Sequence, residues 1–182
     1  MIRVLSPGFL STVQDLGRPG LGALGVPPGG AADAHALRLG NLLLGNDEDA
    51  AALEATLVGP TLLFEDEALV LVAGAPFEAT LDGEALAAWS VTRVRAGNRL
   101  VLGRAVSGAR SYLCVRGGVE VPRVLGARST DVATGFGGLA GRALAAGDLL
   151  PIVRAPAPPR GRSVHAAAAR WTRPRPLLRV TP

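Results

Sequence analysis

The chain has 182 residues, 48% of them apolar, enough to bury one sizeable core, which excludes a disordered or collagen-like polymer. Its seven aromatic residues leave the core to Ala, Val and Leu and disfavour nucleic-acid folds that stack bases on aromatic platforms. All 19 basic residues are arginine, so no Schiff-base lysine, Walker-type phosphate lysine or biotinyl-lysine exists in this chain.

The net charge of +4 is unevenly spread. Met1–Asp148 holds 12 Arg against 15 acidic residues, and the remainder holds seven Arg and no acid. The basic character therefore belongs to the tail, where 153–175 reads as a Pro/Arg-rich linker. No nucleic-acid or membrane partner is expected, because no binding fold accompanies the tail and no apolar run reaches the length of a membrane span. A cytoplasmic location is the default expectation.

In chain order, residues 3–5 start a strand and 11–20 read as an extended segment entering a loop. Residues 17–30, rich in Gly and Pro, make a long irregular loop of the kind that is often functional. Residues 31–44 are good helix formers, with Asp33 in the first turn and Gly45-Asn46 as the stop signal. The acids at 47–49 suit the start of a second, shorter helix over 47–55. Beyond Thr56 come short apolar runs at 61–64, 68–73, 77–81, 90–94, 99–102, 111–115 and 149–153, separated by turn residues. That spacing indicates antiparallel β structure, a barrel or sandwich. Asp82-Gly83 is the clearest hairpin turn.

Several polar groups invite a chemical reading, each with a plainer one beside it. Cys114, the only cysteine, lies in an apolar run and reads as a small hydrophobe. His35 and His165 have no metal-ligand spacing around them, so no metal site is expected. The run Gly135–Gly141 matches a dinucleotide fingerprint but lacks the βαβ context, and reads as a glycine-rich turn permitting close backbone approach. Arg18 and Asp15 form either a local ion pair or part of a substrate clamp with Gln14. Asn41, an amide on a mostly apolar helix, needs buried hydrogen-bond partners.

Thr12-Val13-Gln14-Asp15-Leu16-Gly17-Arg18, the loop from Gly25 to Asp33, Asn41–Asn46, Leu53-Glu54-Ala55-Thr56, Gly59-Pro60, Arg110–Leu113, Arg116–Val119 and Gly126–Arg142 together resemble the allophanate hydrolase subunit 2 family of biotin-dependent carboxyltransferases. The resemblance covers residues 1–152 as an N-terminal, carboxyltransferase-type domain, with 176–182 similar to the start of a second half. It implies a mainly β fold with one or two helices, a cyclophilin-like antiparallel β-barrel. Gly29 stands where family loops commonly carry serine, and Ala32 where they carry methionine.

The activity implied is that of one component of an ATP-dependent 5-oxoprolinase that opens 5-oxoproline to glutamate, a component inactive alone. The alternatives are a carboxyltransferase component acting on urea or a related amide, and a KipA-like regulator that binds a kinase inhibitor. The resemblance implies Asp15, Arg18 and Asp33 as catalytic groups. It implies Gln14, Asn41, Asn46, Thr56, Arg110, Arg128, Thr130, Gly137 and Gly138 as substrate-binding groups. The cofactor implied is ATP with Mg²⁺, held together with partner subunits, with no covalent biotin on this chain. The partners implied are PxpB/KipI-like and PxpA-like proteins and a small amide substrate. An exposed apolar patch is expected where a partner belongs.

Overall fold

Alternating apolar residues in short runs set the architecture. In the computed structural model, which describes residues 1–155, they form β1 (Ile2–Ser6), β2 (Leu10–Gln14), β3 (Ala52–Thr56), β4 (Thr61–Phe64), β5 (Ala68–Gly74), β6 (Phe77–Leu81), β7 (Glu84–Ala85), β8 (Thr92–Val94), β9 (Arg99–Ala105), β10 (Arg110–Val115) and β11 (Leu149–Leu150). One α-helix, α1 (Ala34–Leu44), joins them. The readings of most of the tail as a linker and of 176–182 as a second half lie outside the described residues.

All strand pairs are antiparallel and form two sheets, a six-stranded one in the order β11-β1-β4-β9-β6-β7 and a five-stranded one in the order β2-β3-β10-β5-β8. This mainly β, antiparallel fold with one helix matches the expectation from the sequence. No closed barrel is seen: among the described residues, the ladders of the two sheets do not join into one continuous cylinder. Both sheets face one core, in which Val4, Leu62, Phe64, Leu100 and Leu102 of the first meet Val13, Leu53, Val72 and Leu113 of the second. Asp82 and Gly83 both have positive φ, 50° and 91°, as the hairpin between β6 and β7 requires.

The second helix expected over 47–55 is absent. Residues 52–56 are β3, the strand between β2 and β10. The three acids mark a turn, and the strand beyond them is buried along its whole length, so tertiary pairing overrides the local helical signal. Helix α1 also begins later than residue 31. Asp33 is its N-cap, accepting from the Ala36 N–H at 2.9 Å, and Gly45 ends it in the left-handed region at φ 76°.

The helix packs on the outer face of the five-stranded sheet. Leu37, Leu44 and Ala36 meet Ala52, Leu71, Ala73, Tyr112 and Cys114 in a second, smaller core. Burial pushes the Cys114 thiol up to about 12, as befits a small hydrophobe rather than a nucleophile. Phe9, Leu57 and Val106 are exposed at 71%, 47% and 68%. Hydrogen bonds from Phe9 to Val58 and from Ala105 to Leu57 bring these segments together.

Candidate functional site

The same outer face of the five-stranded sheet carries a polar row. Side chains two residues apart share a face, so Thr12 and Gln14 on β2, Glu54 and Thr56 on β3, and Arg110 and Tyr112 on β10 all lie on the side covered by α1. Register aligns Thr12 with Glu54, Glu54 with Tyr112, and Thr56 with Arg110. These polar groups continue the helix-facing side beyond the reach of α1, and the loop from 15 to 33 crosses above them.

Glu54 organises one end of the row. Its Oε2 accepts from the Tyr112 hydroxyl at 2.7 Å and from the Ala32 N–H at 2.8 Å. Its Oε1 faces the Arg110 Nε at 3.3 Å, an ion pair without hydrogen-bond alignment. The Tyr112 hydroxyl accepts in turn from the Asp33 N–H at 2.7 Å. Burial first, and then the Glu54 charge, push the Tyr112 phenol far above its ordinary range, so it acts as a neutral bridge. Sequence reasoning missed Glu54 and Tyr112 as site residues. Period-two spacing in Glu54-x-Thr56 and Arg110-x-Tyr112 is the available signal, and reading 47–55 as helix conceals it.

The other end is built around Arg18. Its Nη2 donates to the Ser129 carbonyl at 2.6 Å and its Nε to the Val124 carbonyl at 3.3 Å. The guanidinium lies 4.7 Å from the Phe136 ring centroid, a cation–π contact. No ion pair with Asp15 forms. Asp15 accepts instead from the Gly17 N–H through Oδ1 and from the Arg128 N–H through Oδ2. Gln14 donates to Thr12 Oγ1 at 3.0 Å and to the Thr130 carbonyl at 3.1 Å, which ties this end of the row to segment 129–131. That segment lies along the free edge of β2, where Thr130 donates to the Val13 carbonyl through both its N–H and its hydroxyl.

This polar row lies on a chain whose residues 24–182 match the family model for the carboxyltransferase domain, subdomains A and B. The chain belongs to that family. Over 154 residues it is 47% identical to a 5-oxoprolinase subunit of Escherichia coli, a match covering 84% of this chain and 49% of that protein. It is 40% identical over 150 residues to urea amidolyase of Saccharomyces cerevisiae, covering 82% of this chain and 8% of that one. The crystal structure of the K. lactis urea amidolyase superposes with a TM-score of 0.80 at 41% identity, over 86% of this chain and 10% of that chain. The chain thus spans about half the length of the bacterial 5-oxoprolinase relatives it matches.

Within this carboxyltransferase-type domain the expected site residues divide into two groups. Gln14, Arg18, Thr56, Arg110 and Thr130 belong to the polar row or its flank. The others make contacts elsewhere in the fold. Asn41 is fully buried and donates to the Glu48 and Ala50 carbonyls. Asn46 donates to Asn41 Oδ1 and to the Val115 carbonyl and accepts from the Gly117 N–H, so both amides brace the loop after α1. Asp33 caps the helix, and Asp15 braces backbone on both oxygens. Arg128 is turned to the Val121 carbonyl at 3.0 Å.

Gly137 and Gly138 hold no open anion cradle. A Cβ on Gly137 would lie 2.2 Å from the Ser129 carbonyl oxygen, and one on Gly138 would lie 1.8 Å from Thr130 Oγ1. The N–H groups of Gly135, Phe136 and Gly138 donate to the carbonyls of Asp131 and Arg128. The glycines let this turn press against segment 128–131, as the close-approach reading requires. Among the described residues, no group of three or more His, Cys, Asp or Glu could hold a metal ion. Among them too, no helix is long and apolar enough to cross a membrane. A surface cleft of about 760 Å³ lined by Asp66, Glu67, Arg93, Arg116 and Arg154 contains none of the polar row.

Proposed function

We propose that this chain is the amide-handling part of an ATP-dependent 5-oxoprolinase, working with PxpA- and PxpB-like proteins on 5-oxoproline. The observation that supports this best is the 47% identity to the E. coli 5-oxoprolinase subunit over 84% of this chain. An unstrained lactam resists hydrolysis, and activation of its oxygen develops negative charge that arginine and hydroxyl donors stabilise. Arg18 and Arg110 supply fixed cationic donors at the two ends of the row, and Gln14 and Thr56 supply neutral polar groups between them.

A bound nucleotide would supply the activating phosphoryl group. The glycine turn does not fit its phosphates, because the N–H groups of Gly135, Phe136 and Gly138 are already bonded within the protein. ATP, and Mg²⁺ with it, therefore belongs to the partner proteins in this reading, and the chain alone is inert.

The similarity to urea amidolyase favours a second reading, transfer of a carboxyl group to urea or a related amide. Measuring 5-oxoproline-dependent ATP hydrolysis with the chain alone, with PxpA- and PxpB-like proteins, and with a biotin carboxylase and its carrier separates the two. Turnover only with the PxpA- and PxpB-like proteins is expected. Turnover by the chain alone, or activity only with the biotin system on urea, overturns the first reading.

A further inference from the structure

Arg110 opens β10 with its main chain pinned on both sides. Its carbonyl accepts from the Ala75 N–H at 2.8 Å, and the Ala109 carbonyl before it accepts from the Leu57 N–H at 3.0 Å. The freedom left at this position belongs to the side chain. Register places Arg110 opposite Thr56 and Tyr112 opposite Glu54. Glu54 is therefore the diagonal neighbour of Arg110, about 7–8 Å away between backbones and within reach of a long side chain.

Of the two, Glu54 is the better fixed. It is 8% exposed, and one of its oxygens, Oε2, takes both the Tyr112 hydroxyl and the Ala32 N–H. Those bonds aim the other oxygen, Oε1, at the Arg110 Nε, 3.3 Å away. Among the described residues Arg110 has no second ion pair, and its Nε is buried without an aligned hydrogen-bond partner. Coulomb attraction has no requirement for alignment, and a partly buried pair is screened less than an exposed one. The carboxylate thus sets where the guanidinium charge sits. With Nε turned inward, the Nη groups are left open to solvent on a side chain that is 35% exposed.

We propose that Glu54 is the positioning residue for Arg110: its charge holds the guanidinium at the end of the polar row with the Nη edge outward, toward the negative charge that develops on a reacting amide. The inference rests on the proposed function for the origin of that charge, and it adds the group that orients the donor. Glu54 acts through Arg110 and touches no substrate. A donor fixed in advance needs no reorganisation when charge develops, so losing Glu54 slows the reaction of bound substrate more than it weakens binding.

Glu54→Gln isolates the contact. Its amide oxygen takes the place of Oε2 and still accepts from Tyr112 and Ala32, while its NH₂ group replaces Oε1 and sets a donor against the Arg110 Nε. Nuclear magnetic relaxation of the Arg110 Nε–H in the full chain is expected to show an ordered group, with its order parameter lowered by about a third or more in Glu54→Gln. In the assembled enzyme, Glu54→Gln is expected to lower kcat for 5-oxoproline-dependent ATP hydrolysis by about tenfold or more, with KM kept within about threefold. The double variant Glu54→Gln/Arg110→Ala is expected to be no slower than Arg110→Ala alone. Added guanidinium ion is expected to restore activity to Arg110→Ala and not to the double variant.

Equal order of Arg110 in the wild type and Glu54→Gln overturns the inference. So do losses that multiply in the double variant, equal rescue of both by guanidinium, or a KM that rises as far as kcat falls. If the wild-type mixture turns over no 5-oxoproline, the proposed function fails, and the relaxation measurement decides the role of Glu54 by itself.

Discussion

Gly40 of α1 and Cys114 of β10 meet so closely that a Cβ on Gly40 would lie 2.8 Å from the Cys114 sulfur and 3.0 Å from the Ala73 Cβ. In an exposed helix interior, Gly→Ala stabilises by up to about 1 kcal/mol. Here overpacking, which costs about 1–3 kcal/mol, outweighs that gain. Gly40→Ala is expected to lower stability by about 1–2 kcal/mol, seen as a lower urea midpoint with an unchanged slope. A raised midpoint would show that the helix sits more loosely on the sheet than these distances imply.

Tyr112 links sheet to helix through one oxygen. Replacing it with Phe leaves Glu54 Oε2 short of one donor and the Asp33 N–H without its acceptor. Each buried orphan costs about 1–3 kcal/mol, so Tyr112→Phe is expected to destabilise by at least one such increment. Calorimetry measures it. An effect near zero would mean that water replaces the hydroxyl at both partners.

Asn46→Ala removes an amide that joins Asn41, Val115 and Gly117. The expected loss is about 2–4 kcal/mol, because both buried donors and acceptors are stranded. The loss should appear in equilibrium unfolding. In the assembled enzyme, KM at a temperature well below the midpoint should not change, which separates this structural amide from a substrate contact.

Arg142 holds the Asp148 carboxyl below its ordinary value of 3.8 by two hydrogen bonds and its charge, with the Ala145 N–H adding to the shift. The unfolded chain therefore takes up that proton before the folded one does. The stabilisation is present above the ordinary carboxylate value and is lost as pH falls through the depressed folded value. Denaturant midpoints measured from pH 6 down to pH 3 should fall less steeply for Asp148→Asn than for the wild type. Parallel acid limbs would remove Asp148 from the explanation.

Legibility from residues alone depends on how local each cause is. The strands at 61–64 and 77–81 and the Asp82-Gly83 turn are readable because alternation and turn chemistry act within a few residues. β3 is misread because it is an interior strand. Its Leu53 and Ala55 face the core while Glu54 and Thr56 face the polar row, and the acids at 47–49 mimic a helix start. The family resemblance flags Gln14, Arg18, Arg110 and Thr130 at the polar row and Asn41 and Asn46 at the loop after α1, since a motif does not record where the fold places its members. Pairings such as Glu54 with Tyr112 arise from strand register across distant segments, which no local pattern encodes.

The contact between Val13 and Thr130 joins residues 117 apart in the chain. During synthesis β2 emerges first, yet its outer edge stays open until segment 129–131 has been made. The hydrogen bond from Arg18 to the Ser129 carbonyl cannot form before then. Loop closure over such separations slows folding relative to local helix formation, so the nascent chain carries an exposed strand edge until residue 130 has been made. Segment 129–131 both completes the contacts of Arg18 and covers that edge, and truncation before residue 129 should yield an aggregating product rather than a smaller soluble domain.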